Sequence, residues 1–218
     1  MKKIPESTVG RLSVYLRLLR DLSDRGVTTL SSEELAERSG TTAAQVRKDL
    51  SFFGTFGKRG LGYSVDELVR ALRGIMGLEK TWRVALVGAG KIGTALLGYQ
   101  DLRRQGFVIE AVFDRDPAKI GRRWNGLSIQ PESQLEDALA GGIDIVIVAV
   151  PAEAAQGIVD RVVKSGVRAV LNFAPTRLTV PAGVTLKTVN MAAELEGLSY
   201  ALVNEVWRGN DAEDARET

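Results

Sequence analysis

The chain has 218 residues, 44% of them hydrophobic and 26% charged, enough apolar surface to bury a sizeable core and a poor match to a disordered chain. It contains neither Cys nor His, which excludes disulfides, thiol nucleophiles, imidazole bases and Cys/His zinc sites. The net charge of +2 hides a step: residues 1–80 carry 14 Lys and Arg against 10 Asp and Glu, whereas residues 81–218 carry 15 against 17. A basic excess of this kind fits a module that meets an anion, and it equally fits a solvated surface. The opening MKKIPESTVG lacks the apolar core of a signal peptide, and no run reaches the ~18 apolar residues of a membrane helix. With the lack of Cys, this predicts a cytoplasmic protein with no metal and no membrane partner.

Val9, Leu12, Leu16 and Leu19 recur at helical spacing and predict a first helix with one buried stripe, ending before Gly26. A second helix starts at Ser31, which can form a capping box with Glu34, and stops at Gly40. Thr42 with Gln45 offers the cap of a third helix running to Phe52 or Phe53. Short capped helices joined by a turn containing Gly have the layout of a helix-turn-helix. On the third helix Val46, Leu50 and Phe53 share one side, which turns Ala44, Gln45, Arg47, Lys48 and Ser51 toward the other side or its margins. Arg suits guanine and Gln adenine, while Lys or Ser can hold a phosphate or a base edge. Taken alone, the same pattern describes any amphipathic helix with a wet face.

The next segment, FFGTFGKRGLGY, interleaves Gly54, Gly57, Gly60 and Gly62 with Phe56, Leu61 and Tyr63, as a short two-stranded ribbon would. Lys58 and Arg59 fall at its tip. A cationic hairpin after a helix-turn-helix is the wing of a winged helix, able to lay Arg59 in a narrow minor groove. The candidate DNA contacts are therefore Thr42, Ala44, Gln45, Arg47, Lys48, Ser51, Lys58, Arg59 and Gly60. Val65, Leu68, Val69 and Leu72 predict a fourth helix leading to a boundary near residues 77–82.

Beyond Trp82, RVALVGAGKIGTALLGY places the apolar run Val84 to Val87 before Gly88, Gly90 and Gly93 and a helical pattern through Ile92, Leu96 and Leu97. This is G-x-G-x-x-G between a strand and a helix: Gly88 for the tight turn, Gly90 for approach to a pyrophosphate, Gly93 for close packing. A second apolar run ends in Asp114, 21 residues after Gly93, where a carboxylate can accept from the adenosine ribose and favour NAD(H) over NADP(H). The runs IDIVIVAV, AVLNF and VTLKTV continue an α/β alternation and read as parallel strands buried on both faces. Ligands bind beyond the carboxyl ends of such strands, so Val150, Pro151, Asn172 and Phe173 join Gly88, Ala89, Gly90, Lys91, Ile92, Gly93, Thr94, Tyr99 and Asp114 as candidate cofactor contacts. There is no His and no Tyr-x-x-x-Lys pair, since Tyr99 is followed four residues on by Arg103 and Tyr200 by Asn204. Catalysis is not expected, and the nucleotide reads as a signal. The rivals are a small NAD-dependent reductase with an N-terminal interaction module and a coenzyme A-binding domain.

The strings TTAAQVRKDLSFFGTFGKRGLGY, VGAGKIG and LNFAP together resemble the Rex family of bacterial redox-sensing transcriptional repressors, over nearly the whole chain. The resemblance implies an α/β architecture: a winged helix-turn-helix domain over residues 1–79, a Rossmann-like NAD(H)-binding domain over 80–196, and a C-terminal helix and tail over 197–218. It further implies a homodimer on palindromic operator DNA that senses the NADH to NAD+ ratio and releases DNA when NADH binds. Its C-terminal helix, here carrying Leu195, Leu198, Leu202 and Val206, is expected to be exchanged between subunits. Arg17 and Tyr99 match family positions linked to the switch between dimer states, and Asn190 stands where relatives carry an Asp partner. An amide cannot supply that ion pair, leaving at most a neutral hydrogen bond.

Overall fold

The computed structural model describes residues 4–57 and 61–204. Lys58, Arg59 and Gly60 at the expected wing tip, and Val206, lie outside the described residues. By its internal contacts the chain divides into two compact units, Met1–Thr81 and Trp82–Thr218.

The first unit contains α1 (Glu6–Asp24), β1 (Thr29–Leu30), α2 (Ser32–Ser39), α3 (Ala43–Ser51), β2 (Tyr63–Ser64) and α4 (Val65–Ile75). Ser31 caps α2 as a full box: its hydroxyl accepts from the Glu34 amide at 3.1 Å, and the Glu34 carboxylate accepts from the Ser31 amide at 2.7 Å. Gly40, at φ +63°, takes the left-handed conformation that ends α2 and starts the turn into α3. The core joins Leu12, Leu16 and Leu19 of α1 to Leu35, Val46, Leu50, Leu68 and Leu72. The α1 stripe differs from the expected one. Val9 is 45% exposed, and its place is taken by Thr8 and Tyr15, both buried because their hydroxyls have an acceptor inside the unit.

Two further expectations need correction. Helix α3 ends at Ser51, short of Phe53, which is only half-buried. The residues from Phe52 to Gly57 form no strand, and β2 pairs antiparallel with β1 instead, Leu30 opposite Tyr63. Gly54 and Gly57, at φ +138° and +76°, take the chain out of extended geometry on the leading side of the expected ribbon, whose tip lies outside the described residues. The loop is nonetheless closed at its base, because a Cβ on Gly57 would collide with the carbonyl of Gly62.

The second unit is a doubly wound domain on a seven-stranded sheet. Its strands are β3 (Trp82–Val87), β4 (Phe107–Asp114), β5 (Arg123–Trp124), β6 (Leu127–Pro131), β7 (Ile145–Val148), β8 (Ala169–Asn172) and β9 (Thr185–Thr188), in the order β5-β6-β4-β3-β7-β8-β9. Neighbours from β6 to β9 are parallel, and β5 turns back antiparallel on β6. One face buries Val87, Phe113, Val146 and Val148 against α7 (Leu135–Ala140) and α8 (Ala152–Lys164). The other buries Leu86, Val112 and Ile147 beside Leu96 and Leu97 of α5 (Lys91–Gly98). A short α6 (Gln100–Arg104) restarts after Tyr99, whose ψ of +90° interrupts the helix.

The β5–β6 hairpin was not expected, although Asn125-Gly126, both at positive φ (+47° and +84°), is a common two-residue hairpin signal. Strand β9 was expected to be buried on both faces; it is an edge strand and largely exposed. Helix α9 (Met191–Asn204) begins ahead of the 197–218 segment. It leaves Met191, Leu195, Leu198, Tyr200, Leu202 and Val203 at least 60% exposed, with Ala201 buried.

Candidate functional site

The glycine-rich turn joins β3 to α5 at the carboxyl end of the sheet, between β4 and β7, where the strand order reverses. Each glycine has a separate reason. Gly88 sits at φ +101°, and a Cβ there would run into the carbonyl of Ala149 at the end of β7. On Gly93 a Cβ would strike the carbonyl of Gly88, so this glycine sets how closely α5 lies on the strand. Gly90 is different: it caps α5 in extended geometry, and a Cβ there would meet nothing within 4 Å. The open space at Gly90, in front of the first-turn amides of α5, is what a pyrophosphate needs.

That space belongs to a cavity of about 550 Å³ which brings together Gly88, Gly90, Lys91, Ile92, Asp114, Val150, Pro151 and Phe173 among the expected residues. Arg115 and Lys119 border it as well. Asp114, 7% exposed, accepts from the Ala89 amide (2.8 Å) and the Lys119 ammonium (3.0 Å) through Oδ2, and from the Asp116 amide (2.8 Å) through Oδ1. Burial alone would raise its pKa, but the Asp116 amide, the Lys119 ammonium and the Ala89 amide together hold it below the usual carboxylate range. The carboxylate thus ties β4 to the glycine turn in addition to facing the cavity.

Ala89, Gly93 and Thr94 support the turn rather than line the cavity; the Thr94 hydroxyl donates to the Gly90 carbonyl at 2.8 Å. Asn172, fully buried, donates its amide to the carbonyls of Ala174 and Thr176 and accepts from the Ala174 amide at 2.8 Å. Its side chain is spent on the loop that carries Phe173, so a direct cofactor contact by that amide has no free group to make it. Tyr99, 57% exposed, lines a separate groove at the far end of α5 with Arg103 and Phe107.

In the first unit, Thr42 accepts from the Gln45 amide at 3.2 Å and starts α3. Thr42, Ala44, Arg47, Lys48 and Ser51 are exposed along α3, and Gln45 is half-buried. Arg47 is not a free cation, since it donates to the Ser32 hydroxyl (2.6 Å) and the Glu33 carboxylate (3.0 Å) of α2. The Ser51 hydroxyl is turned back onto the Lys48 carbonyl.

One residue at this site escaped the sequence reading. Asp49 is fully buried on the inner side of α3 and accepts five hydrogen bonds: from Thr8, Arg11 Nη2 and Gln45 on Oδ1, and from Arg11 Nε and Tyr15 on Oδ2. Burial opposes its charge, but the Arg11 fork with the Gln45, Tyr15 and Thr8 donors keeps it ionised below the ordinary range. Burial and the same carboxylate push the Tyr15 phenol up to about 12. The signal was available: position 49 falls beside Val46 and Leu50 on the apolar side of the helix, where a carboxylate is out of place unless paired.

Of the expected switch residues, Arg17 is exposed on α1. The Asn190 side-chain oxygen accepts from the amides of Ala192 (3.1 Å) and Ala193 (3.2 Å), so here it caps α9.

Residues 3–51 match the family model described as "Putative DNA-binding protein N-terminus", and residues 79–176 match that described as "CoA binding domain". The redox-sensing transcriptional repressor Rex of Carboxydothermus hydrogenoformans is 47% identical over 91% of this chain and 96% of its own. The Thermus thermophilus protein of the same name is 44% identical over 94% and 97%. The crystal structure of RSP in complex with beta-NAD+ and operator DNA superposes with a TM-score of 0.89 at 37% identity, covering 94% of this chain and 95% of that one. RSP in complex with beta-NADH gives 0.85 at 35%, covering 94% and 97%. With so large a share of both chains matched at this identity, the protein belongs to the Rex family of redox-sensing transcriptional repressors.

Proposed function

We propose that this chain represses transcription as a homodimer on palindromic operator DNA and lets go when NADH occupies the cavity at Gly90. The observation that carries the reading is the pairing, in one chain without His or Cys, of an exposed capped helix with an open dinucleotide cradle. The pyrophosphate lies on the α5 amides at Gly90, Lys91 and Ile92, and the adenosine ribose faces Asp114 with Lys119 and Arg115 beside it. The nicotinamide reaches Val150, Pro151 and Phe173. A neutral dihydronicotinamide suits those apolar walls, whereas the cationic ring of NAD+ must be desolvated to enter. Asn172 shapes the Phe173 loop, and no residue is assigned a catalytic role.

Thr42, Ala44, Gln45, Arg47, Lys48 and Ser51 are assigned to the major groove, and Lys58, Arg59 and Gly60, which lie outside the described residues, are assigned to the minor groove. Arg47 exchanges Glu33 for DNA when it binds. A dimer needs its two reading helices ~34 Å apart or a multiple of that, so a modest rotation by NADH breaks simultaneous contact. Arg17, Tyr99 and Asn190 are assigned to that switch, Asn190 through the start of α9. The protein acts in the cytoplasm; among the described residues no helix is long and apolar enough to cross a membrane.

The test is a gel-shift titration on a palindromic duplex with NADH and NAD+ added separately. NADH should abolish the shifted band at concentrations where NAD+ leaves it. A band indifferent to NADH overturns the switch, steady NADH consumption overturns the non-enzymatic reading, and displacement of NADH by coenzyme A reassigns the cavity. For the dimer, Leu198→Asp places a charge on the bare apolar face of α9 and should shift the protein to monomer in sedimentation, with at least tenfold weaker operator binding. An unchanged dimer would remove α9 from the interface.

A further inference from the structure

We propose that Gln45 reads DNA in one sense only: Asp49 fixes the polarity of its amide, so that it offers Oε1 to the groove and selects adenine or cytosine, whose amino groups lie in the major groove, over guanine or thymine. This rests on the reading of α3 as the helix that enters the major groove.

A glutamine on a free surface can turn its amide over, accepting from adenine N6 or cytosine N4 in one pose and donating to guanine O6 or thymine O4 in the other. Here the Gln45 amide nitrogen donates to Asp49 Oδ1 at 2.8 Å. An ionised carboxylate only accepts, so the amide has one permitted orientation: the nitrogen faces Asp49 with one of its two hydrogens bonded there, and the oxygen lies away from it. Asp49 cannot turn to follow a flipped amide. Its other four hydrogen bonds, two of them from the Arg11 fork at 2.6 and 2.8 Å, hold it from α1. The backbone at Gln45 is fixed too, through its amide bonded to the Thr42 hydroxyl. Gln45 lies in the first turn of α3, where the reading helix of a helix-turn-helix meets base edges. Facing guanine or thymine, Oε1 would oppose another acceptor. Asp49 is thus a positioning residue, and the specificity of Gln45 is set from α1.

The experiment selects duplexes from a randomised palindromic pool with the full-length protein. Affinity is then measured with each half-site position changed in turn to all four bases. At one position adenine or cytosine should bind about tenfold tighter than guanine or thymine, a ratio of the size one base contact supplies. Purine, which lacks the N6 amino group, should lose as much as guanine when it replaces adenine there. Gln45→Leu, which leaves the Asp49–Arg11 fork intact, should flatten this position to within about twofold and leave the others as they were. Asp49→Asn, whose amide can donate as well as accept, should let Gln45 turn over and bring guanine or thymine within about threefold. If that variant does not fold by circular dichroism, Gln45→Glu serves instead: an acceptor-only side chain should keep the amino preference while binding more weakly overall. A preference for guanine or thymine at the position flattened by Gln45→Leu overturns the proposal, and so does a Gln45→Leu profile identical to wild type. Failure to select any specific duplex overturns the repressor reading itself, and this inference with it.

Discussion

Gly90→Val should fold normally, hold operator DNA as tightly as the parent, and no longer release it on addition of NADH. The backbone at Gly90, φ −80° and ψ −165°, is open to any residue, and a Cβ there meets no atom within 4 Å. The variant is therefore expected to keep its stability within ~1 kcal/mol, as surface substitutions do. In the proposed binding mode the valine occupies the space through which the pyrophosphate reaches the α5 amides. Charge-assisted hydrogen bonds contribute ~1.5–3 kcal/mol each, so losing two weakens NADH binding by roughly a hundredfold or more. Calorimetry with NADH and a thermal melt of the same preparation check both halves of the expectation. The neighbouring glycines cannot serve. A side chain on Gly93 would strike the Gly88 carbonyl, and one on Gly88 the Ala149 carbonyl, so a lost response there would report damage to the fold. If Gly90→Val bound NADH as the parent does, the phosphates would have to lie away from α5.

What the sequence made legible here depended on how local the cause was. The Ser31–Glu34 box needs only four residues and appears as expected. The tight turn at Gly88 and the close packing at Gly93 appear as expected because strand, turn and helix are contiguous, and Gly90 faces open space. The Asn125-Gly126 hairpin is equally local, but β5 is only two residues long and carries no alternation to mark it as a strand beside the turn. Other features depend on distant partners. Strand β9 reads as apolar, but whether it is central or an edge is decided by what pairs with its far side. Arg47 looked free because nothing near it in sequence showed that Glu33 would reach it from the preceding helix. Asn172 sits at a strand end where ligands bind, yet its amide is spent on residues two and four positions on and on Thr188. Asp49 is the extreme case: its donors Thr8, Arg11 and Tyr15 lie 34 to 41 residues away, and only their convergence makes a buried carboxylate tolerable.

Asp49→Ala is expected to cost the first unit ~3–5 kcal/mol, the range for breaking one side of a buried ion pair and a large part of a typical total stability of ~5–15 kcal/mol. Arg11 is not the main contributor, because its side chain is 31% exposed and can recover water. The Tyr15 and Thr8 hydroxyls, at 0% and 1% exposure, lose their acceptor with no water to replace it. Two pH windows follow. The Asp49 pKa is depressed on folding, so its contribution is complete above the ordinary carboxylate range of ~3.9 and fades as pH falls through the lower folded value. The gap between parent and Asp49→Ala in urea unfolding should therefore be full at pH 7 and shrink in strong acid. Tyr15 runs the other way. Its pKa is raised to about 12, so its contribution is complete below the ordinary phenol value of ~10 and is lost as pH climbs from there through the folded value. Tyr15→Phe removes this titrating group and should lessen the alkaline decline, leaving the share of Tyr63, whose phenol pKa burial also raises, and keeping the acid one in place. Equal stability of parent and Asp49→Ala at pH 7 would mean that the five hydrogen bonds only offset the burial of the charge, and the tie between α1 and the reading helix would have to be sought in the apolar contacts alone.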